Sequence, residues 1–402
     1  DNLLIDFRNG RVREATTRLF SGVNLIGGGR HEAANQIGEI VDGLGKRVLI
    51  QYGSLTQTEV YTQLQSAPLA EWGRGSAVFD LLAPVYVVRH VAGSAPTFGN
   101  SAALSETEYH YVGGRLQAGG RGFLGFAEIV QWNADHGLRT NTRYRQDFPF
   151  IGLPFDETQE LASSADRLVS IGAIDRESLV VWPAIGPGMA SPDSLLPGTT
   201  VGYAANRWQA IQSPNSNGAW QRVRSADFEA SWSPGGENIN QKLIESRFDE
   251  HGRATRTSER FWGADPGEAE LSVTTLSNYL EPGSSWNLGL VETVTVAHER
   301  PGQSQILRKS AFEYETTTGL KTKEITEPDS AEIRVESSFR NDRFGNRVST
   351  TVSAADVPAR NSSLQFEGLG RFAIAEFNHY GQEVTRVLDW NRFGTALEVS
   401  DI

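Results

Sequence analysis

The sequence predicts an all-β protein built mainly from antiparallel strands, and three observations predict this fold class. Runs that alternate apolar and polar residues, or that are rich in β-branched and aromatic residues, outnumber helical patterns. Stretches rich in Pro, Gly, Ser and Asn separate these runs, as turns do. A short motif of an aromatic residue, an Asp or Asn, and a glycine three residues further on recurs along the chain. The 41 glycines and the 9 Trp, 10 Tyr and 19 Phe also suit strands joined by tight turns.

Strand candidates occur along the whole chain and turn sequences lie between them. The clearest strands are "KRVLIQY" (46–52), "ETEYHYVGGRL" (106–116), "SLVVWPAI" (178–185), "ETVTVAHER" (292–300) and "AEIRVESSFRN" (331–341). The turn sequences are "PGTT", "SPNSNG", "SPGGEN", "DPGE", "EPGSS" and "RPGQS". The two best helix candidates are "HEAANQIGEIVDGLG" (31–45) and "ETQELASSADRLVSIGA" (157–173), and both could equally be strands with irregular turns. We therefore expect few, short helices.

The recurring motif has three tight copies in which the aromatic residue directly precedes the Asp or Asn. These copies are Phe248-Asp249 with Gly252, Phe377-Asn378 with Gly381, and Trp390-Asn391 with Gly394. A fourth copy is Asp342 with Gly345, in which Phe339 stands three residues before the acid. Tyr314-Glu315 with Gly319 and Trp132-Asn133 with Gly137 are looser versions, and Asp42 with Gly45 lacks the aromatic residue.

Each copy is interpreted as one β-hairpin of a repeated array. The aromatic residue is expected to close a strand and to stack on the aromatic residue of the neighbouring hairpin. The Asp or Asn side chain caps amides of its own turn, and the glycine supplies a positive φ. Because a hairpin buries one face only by lying beside the next, such an array grows as a sheet. The alternative is that these turns, which are common in β-proteins, recur by chance.

Composition excludes several classes of protein. With 39% hydrophobic and 21% charged residues the chain is expected to fold, and its formal net charge of −12 disfavours nucleic acid as a general partner. Cysteine is absent, which excludes disulfides, thiolate nucleophiles and Cys-based metal sites. No apolar run reaches the roughly 18 residues of a membrane-spanning helix, and no signal peptide is visible. The chain starts without Met and stops within the strand-like run "FGTALEVSDI", so we expect it to be part of a longer polypeptide.

Together with these repeats, three segments before them resemble a known family. They are "GLGKRVLIQYGSLTQTEVYT" (43–62), "APVYVVRHV" (83–91) and a stretch (107–154) that contains "GRGFLGF" (120–126) and the pattern Y-x-x-D-F-P-x-x-G-x-P (144–154). The chain is similar to YD-repeat, or Rhs, proteins, and in particular to the B component of bacterial insecticidal toxin complexes and to relatives of the plasmid virulence B protein. The similarity is strongest over 40–160 and consists of the repeat pattern alone over 240–402. Residues 160–240 are included only because they connect these two parts.

This resemblance implies a large antiparallel sheet of YD-repeat hairpins that curls into a shell or cocoon-like wall around a C-terminal toxin segment. It implies four segments: a lead-in (1–40), a toxin-middle-region-like β segment (41–160), a connecting β segment (161–240) and a truncated YD-repeat array (241–402). It also implies a non-catalytic structural role in a secreted or exported bacterial protein. The implied partners are other parts of a toxin complex and the enclosed toxin polypeptide.

The chain departs from the family in having no obvious propeller and no self-cleaving core. The sequence Ala264-Asp265-Pro266-Gly267 lacks the context of the family's cleavage motif and is interpreted as a turn. Within "GRGFLGF", Gly122 and Gly125 are expected to permit close strand approach while Phe123 and Phe126 fill the wall. The alternative interpretation is a binding patch formed by Arg121, Phe123 and Phe126.

Histidines, a glycine-rich stretch and three acids are the candidates for catalysis or ligand binding. The seven histidines share no metal-binding spacing, and those in the repeat-like turns (His136, His251 and His379) are expected to be exposed. "LIGGGRHE" (25–32) lacks the context of a phosphate-binding loop and is expected to be a flexible loop. Asp147, Asp156 and Glu157 could form a glycosidase pair, although turn capping is the default for such acids. We therefore expect no enzyme, cofactor or metal site. A surface adhesin or carbohydrate-binding module that uses exposed Trp and Tyr remains the alternative function.

Overall fold

The structure is a computed structural model, and it is all-β, as the sequence predicts. It describes residues 3–6, 11–14, 36–64, 77–118, 120–170, 199–212, 219–265, 269–281, 289–391 and 394–401. These residues contain strands and turns and no helix, and 22 of the strands belong to one large antiparallel sheet. None of the described residues forms a helix long and apolar enough to span a membrane.

Within the described residues the first thirteen strands are short, most of them under ten residues. They are β1 (Leu3–Asp6), β2 (Arg11–Glu14), β3 (Glu39–Val41), β4 (Arg47–Ser54), β5 (Tyr61–Thr62), β6 (Val78–Asp80), β7 (Tyr86–Ser94), β8 (Leu104–Val112), β9 (Arg115–Gln117), β10 (Gly122–Phe123), β11 (Glu128–Asn133), β12 (Leu138–Tyr144) and β13 (Pro154–Leu161).

The remaining strands begin with three long ones and continue as a regular series. They are β14 (Thr199–Gln212), β15 (Trp220–Trp232), β16 (Asn238–Phe248), β17 (Ala254–Trp262), β18 (Leu271–Tyr279), β19 (Val291–Glu299), β20 (Ile306–Tyr314), β21 (Lys321–Thr326), β22 (Val335–Asn341), β23 (Arg347–Ala354), β24 (Val357–Phe366), β25 (Ala373–Phe377), β26 (Glu383–Trp390) and β27 (Ala396–Asp401).

The chain divides into two compact units. Unit 1 contains Asp1–Ala210, Ala226–Lys242 and Gly263–Gly267, and unit 2 contains Ile211–Ser225, Leu243–Trp262 and Glu268–Ile402. The division falls within the long strands and does not follow the four segments expected from the sequence, which stay a prediction.

Unit 1 contains the strands that precede the regular series. Its main ladder runs in the order β3, β4, β7, β8, β11, β12, β13 and β14, and every neighbouring pair in it is antiparallel. β5 adds a two-residue parallel pairing to β8. A separate three-stranded sheet has the order β10, β9, β6, and β1 pairs with β2.

Unit 2 contains a simple meander, because each strand from β17 to β27 pairs with the next one in the chain. In such a meander every second connection lies at the same end of the strands. The turns that follow β16, β20, β22, β24 and β26 therefore lie along one end of the sheet, as does the connection after β18, of which only the ends belong to the described residues. We call these five turns (249–252, 315–319, 342–345, 367–370 and 391–394) the turn row.

The two units bury their side chains differently. The most completely buried side chains, including Val130, Phe228 and Leu55, lie in unit 1. Among the described residues of unit 2, the buried apolar side chains are Leu243, Trp262, Ile325 and Ala375. Because so little apolar surface is buried there, the stability of unit 2 depends heavily on backbone hydrogen bonds and on contacts at the ends of the strands.

Both helix candidates are wrong in the described residues. Glu39–Val41 is β3 and a turn follows it, while residues 157–161 complete β13 and lead into further turns. The rough 3.6-residue register of these stretches did not decide their structure, because strand pairing with β4 and β12 satisfies their backbone groups instead. The predicted strand at 178–185, the loop at 25–32 and the pair Pro266-Gly267 lie outside the described residues.

Candidate functional site

The aromatic–Asp/Asn–x–x–Gly motif forms a defined hairpin turn, best seen at Asp249. The Asp249 carboxylate accepts hydrogen bonds from the amides of His251 and Arg253, both at 2.9 Å. The Gly252 amide donates to the Asp249 carbonyl at 3.0 Å, and Gly252 has a φ of 75°. Phe248 is the last residue of β16 and thus closes the strand, as expected. This is a three-residue hairpin loop in which a type I turn ends on a left-handed glycine.

Four further copies found in the sequence form the same turn. At Asp42, Asp342, Asn378 and Asn391 the side-chain oxygen accepts from the amide four residues later at 2.9–3.1 Å. The glycine of each turn has a φ between 76° and 89°. Phe377 and Trp390 are the last residues of β25 and β26. The residue types of the motif therefore act as predicted: the polar side chain caps the turn and the glycine supplies the positive φ.

The structure contains two copies that the sequence analysis missed. Trp232 precedes Ser233, whose hydroxyl accepts from the amides of Gly235 and Glu237 at 3.2 Å, and Gly236 has a φ of 84°. Phe366 precedes Glu367, whose carboxylate accepts from the amides of Leu369 and Arg371 at 2.8 Å. Both were missed because the motif was defined with Asp or Asn as the capping residue. An aromatic residue followed by any capping side chain and a glycine is the signal that finds them.

The caps set the charge state of the acidic turns. Burial alone would raise the pKa of Asp249, but hydrogen bonds from Arg253 and His251 outweigh it and hold that pKa below its ordinary value. The balance is the same at Asp342, whose pKa is also lowered, chiefly by bonds from Asn346 and Phe344. At Glu367 the amides of Arg371 and Leu369 lower the pKa. These turns are therefore more stable with an ionised cap.

Within the turn row, the contacts at Gly370 and Gly394 join one turn to the next. A Cβ placed on Gly370 would overlap the ring of Phe344 in the preceding turn of the row. A Cβ on Gly394 would lie 2.5 Å from the ring of Phe372, which follows Gly370. The glycines thus have two roles, since they allow the positive φ and leave room for an apolar side chain of the neighbouring turn.

Hydrogen bonds also connect neighbouring turns in the row. The Asn346 amide group donates to the Gly370 carbonyl at 2.7 Å and to its own cap, Asp342, at 3.1 Å. The Asn341 amide group donates to the carbonyl of Lys321 at 3.3 Å. These bonds fix the spacing of adjacent hairpins at the ends of their strands, where unit 2 buries little apolar surface.

The predicted stacking of aromatic residues between hairpins occurs once among the described ring pairs of the row. Trp390 stacks on Phe372 with ring centroids 5.7 Å apart and ring planes 28° apart. The partner is thus the ring that follows the preceding turn rather than the ring that precedes it. Asn378 also lies in a turn at the opposite end of the strands from Asn391, because only one strand separates the two turns. Copies 13 residues apart are therefore not neighbours, and the spacing within the row is 24 or 25 residues from 342 to 367 to 391.

The "GRGFLGF" segment packs aromatic rings together, but its glycines act differently from the prediction. Phe126 contacts Tyr111 and Phe123 with centroids 4.8 and 5.3 Å apart. Gly122 and Gly125 have φ values of 74° and 85°, and a Cβ on either would meet no atom within 4 Å. The prediction of close strand approach at these glycines is wrong, since the positive φ is what requires them.

Two residues of this segment have surroundings that bear on the binding-patch alternative. The Arg121 guanidinium lies 3.7 Å from the ring centroid of Phe148. Phe123 is about half exposed, so it covers Phe126 rather than filling the interior. Arg121 therefore contacts an aromatic ring of the same chain, which favours the structural interpretation.

The candidate glycosidase acids Asp156 and Glu157 lie on opposite faces of their strand. Asp156 and Glu157 are consecutive residues of β13, so their side chains point to opposite faces of the sheet. Asp156 is bound by Arg143 through both carboxylate oxygens. Burial raises the pKa of Asp156, and the Arg143 pairing offsets part of that effect. Asp147 is held by Arg145 at 2.5 and 2.6 Å. Each Asp is thus engaged by an arginine.

A buried polar face lies in unit 1, on strands β11 to β13. Arg139 and Glu160 are paired there and are both almost completely buried. Glu128, which is 1% exposed, accepts from the Asn141 amide group at 2.6 Å. Residues 162–170, which we call the strap, follow β13 and cross this face. The sequence analysis missed the face, because a charged residue is ordinarily expected at the surface even where, as in "EIVQWN", it alternates with apolar residues on one side of the strand.

Hydrogen bonds attach the strap to the polar face. Arg139 donates to the Asp166 carbonyl at 2.6 Å, and Asn141 donates to the Val169 carbonyl at 3.1 Å. Ser170 donates to Glu128 at 2.5 Å, and Arg167 donates to Glu108 at 2.9 Å. The strap thus supplies further acceptors and donors to charged residues that also pair with other residues of the face.

The histidines in turns differ in exposure. His136 and His379 are exposed as predicted, whereas His251 is only partly exposed beneath its turn. Among the described residues, no three His, Asp or Glu side chains are grouped so that they could hold a metal ion.

Similarity to other proteins is found at the level of structure. No protein-family model matches the sequence, and no curated protein matches it. The chain resembles the crystal structure of TcdB2-TccC3 without its hypervariable C-terminal region, with a TM-score of 0.57, 9% identity and 90% of this chain covered. It resembles the TcdB2-TccC3-Cdc42 and TcdB2-TccC3 crystal structures to the same TM-score and identity over 89% of its length. At this identity the likeness shows the β fold alone, and the chain spans 23% of the length of each of these chains.

Proposed function

We propose that this chain is a non-catalytic structural part of a bacterial YD-repeat toxin shell that encapsulates a C-terminal toxin and helps to deliver it. The observation that carries the proposal is the turn row, in which the turns at 342–345, 367–370 and 391–394 are joined by aromatic side chains that pack on Gly370 and Gly394, and the first two also by the hydrogen bond from Asn346 to Gly370. Such an array extends by repetition and needs no separate core. A wall of this kind suits an enclosing shell.

The fold likeness supports the same function. The chain shares its β architecture over nine tenths of its length with structures of TcdB2-TccC3. By this proposal its partners are other parts of a toxin complex together with the enclosed polypeptide, and the protein is secreted or exported. The engagement of Asp147 and Asp156 by arginines supports the absence of catalysis.

The tryptophans do not favour the carbohydrate-binding alternative. Trp132, Trp232 and Trp262 are buried, and Trp208 donates its indole N–H to the Pro154 carbonyl at 2.7 Å. Trp220 is the only described tryptophan that is classed as exposed, at 38%. The adhesin alternative depends on exposed Trp and Tyr side chains, and most of the described tryptophans are not exposed.

Protease protection of the passenger tests the proposal. The full-length protein that contains this chain is treated with proteinase K, and the survival of its C-terminal segment is followed by mass spectrometry. We expect the segment to survive in the intact protein and to be degraded when it is expressed alone. A Gly394→Val variant, which disturbs the contact with Phe372, serves as the damaged shell and is expected to expose the segment. Equal degradation in the intact protein and in isolation would contradict encapsulation.

A further inference from the structure

We propose that the polar face of β11–β13 is a binding site for an extended polypeptide, and that the strap occupies this site in cis. The inference takes the identity of the natural occupant, the enclosed passenger chain, from the function proposed above. The site itself is inferred from the contacts of the strap and from two buried polar groups that the strap leaves without partners.

The first argument is that the face holds the strap by its main chain. Arg139 and Asn141 donate to the carbonyl oxygens of Asp166 and Val169. Carbonyl oxygens are present in every peptide, so these two donors would hold an extended chain of almost any sequence. Binding through main-chain hydrogen bonds is a general way for a sheet to accept a peptide.

The second argument is that the Arg167 anchor and the first residues of the strap are weakly held. Arg167 pairs with Glu108 at 2.9 Å, but their side chains are 42% and 32% exposed, and such pairs stabilise little. Ser163, Ser164 and Ala165 at the start of the strap are exposed. Local opening of a segment with few buried contacts is expected to require less free energy than opening of the sheet beneath it.

The third argument is that the strap complements the face incompletely. Within the described residues, the Trp132 indole N–H and the Asn141 side-chain carbonyl are buried and have no hydrogen-bond partner. Trp132 is 9% exposed and Asn141 is 1% exposed. Trp132 pairs across the strands with Arg139 on one side and Glu108 on the other, and the strap contacts both of these residues. Trp132 therefore lies beneath the strap.

These two groups are one donor and one acceptor, which is the complement of a peptide group. Buried polar groups in proteins are normally paired, and leaving them unpaired disfavours the strap-covered state. A polypeptide that replaces the strap in another register can pair with both. The strap is therefore a displaceable occupant rather than the best ligand of this face.

A single-cysteine reporter tests displacement directly. Because the chain has no cysteine, Ser164→Cys places one environment-sensitive fluorophore on an exposed strap residue. The labelled protein is titrated with reduced, carboxamidomethylated α-lactalbumin, which is unfolded, and with native α-lactalbumin as the matched control. We expect a saturable change in emission with the unfolded chain and none with the folded one.

Two variants in the labelled background decide the site. Trp132→Phe removes the unpartnered N–H together with part of the ring, and we expect the lost N–H to weaken binding about fivefold, the value of one hydrogen bond. Looser packing around the smaller ring would instead ease strap opening and strengthen binding, so it cannot imitate this result. Arg167→Ala removes the exposed anchor of the strap and is expected to strengthen binding about threefold.

Each contrary outcome overturns the inference. Binding without a change in emission would place the polypeptide elsewhere on the protein. Unchanged affinity in Trp132→Phe would show that ordered water, and not a bound polypeptide, pairs with the unpartnered groups. If no binding is seen even with Arg167→Ala, the strap is a permanent part of the fold. Protease protection of the passenger is measured separately. If protection persists while this test fails, the proposed function stands and only the strap proposal falls.

Discussion

At the scale of single residues, Gly370 and Gly394 of the turn row each meet two constraints that can be separated by comparison with a glycine outside the row. Gly370 and Gly381 have similar φ values, 69° and 76°. A Cβ on Gly381 would meet no atom within 4 Å, whereas a Cβ on Gly370 would overlap the ring of Phe344. The two positions therefore differ in the neighbour rather than in the backbone.

Alanine substitution at these glycines is the first prediction. Gly381→Ala should lower the free energy of unfolding by about 1–2 kcal/mol, the cost of a side chain in the left-handed region. Gly370→Ala should lower it by about 1 kcal/mol more, near the lower end for overpacking, because Phe344 is half exposed and can move outward. Urea denaturation of both variants measures the difference. Equal losses would show that the contact between turns contributes nothing.

The charge of the capping residue gives the second prediction. The pKa values of Asp249 and Asp342 are lowered in the folded protein, so their caps stabilise the turns above about pH 4, the ordinary range of a carboxyl group. That stability is lost as the pH falls through the lowered pKa values. The turn at Asn378 has the same hydrogen bonds with an uncharged cap and is the built-in control.

Hydrogen exchange of individual amides measures this pH dependence. Between pH 5 and about pH 2.5, protection of the Phe344 and Asn346 amides should fall after correction for intrinsic exchange, while protection of the Tyr380 and Gln382 amides should not. Asp342→Asn should keep its turn and remove the dependence on pH. A parallel loss at Asn378 would mean that unit 2 opens as a whole, independently of the caps.

At the scale of elements, the row predicts which hairpins interact energetically. Phe372 and Trp390 stack across adjacent hairpins of the row, whereas Phe372 and Phe377 lie at opposite ends of β25. A double-mutant cycle with alanine at positions 372 and 390 should give a coupling energy of about 0.5–1.5 kcal/mol. The same cycle at positions 372 and 377 should give a value near zero. Comparable coupling in both cycles would contradict an array connected along one end of the strands.

The sequence predicted the turns well because their chemistry is local. A capping side chain, two loop residues and a left-handed glycine determine the conformation within five residues, so Asp249, Asp342, Asn378 and Asn391 were found directly. Which turns are neighbours was not predicted, because it depends on strand order. Neighbouring turns of the row are two strands apart in the sheet, and the motif alone does not show how many strands lie between two of its copies.

The polar face of unit 1 could not be predicted for a related reason. Glu128 points inward because Asn141 of the next strand and Ser170 of the strap supply its partners, 13 and 42 residues away in the chain. Local alternation places Glu128 on the same face as Val130 and Trp132, which is the more apolar face of β11, but a charged residue at that position would ordinarily be exposed. Tertiary partners thus reversed the ordinary preference for a charged residue.

At the scale of the whole molecule, net charge opposes association between molecules, whereas exposed apolar strands favour it. The chain has a formal net charge of −12, and its isoelectric point is about 5.2. Ile40 and Val41 of β3 are 49% and 58% exposed although neighbouring residues of a strand point to opposite faces. An apolar, exposed strand favours pairing with another chain, and electrostatic repulsion between molecules opposes it.

Self-association should therefore depend on pH, and this is the last prediction. Sedimentation velocity should show larger species as the pH is lowered from 7.5 towards about 5.2, because repulsion between molecules disappears as the net charge approaches zero. Added salt at pH 7.5 should act in the same direction by screening that repulsion. Ile40→Lys should reduce association at either pH, since a lysine on an exposed strand opposes edge pairing. Tyr380→Lys adds the same charge at an exposed turn residue and is the control, because it alters net charge without altering a strand. If both lysine variants reduce association equally, net charge alone controls it and β3 is not the contact.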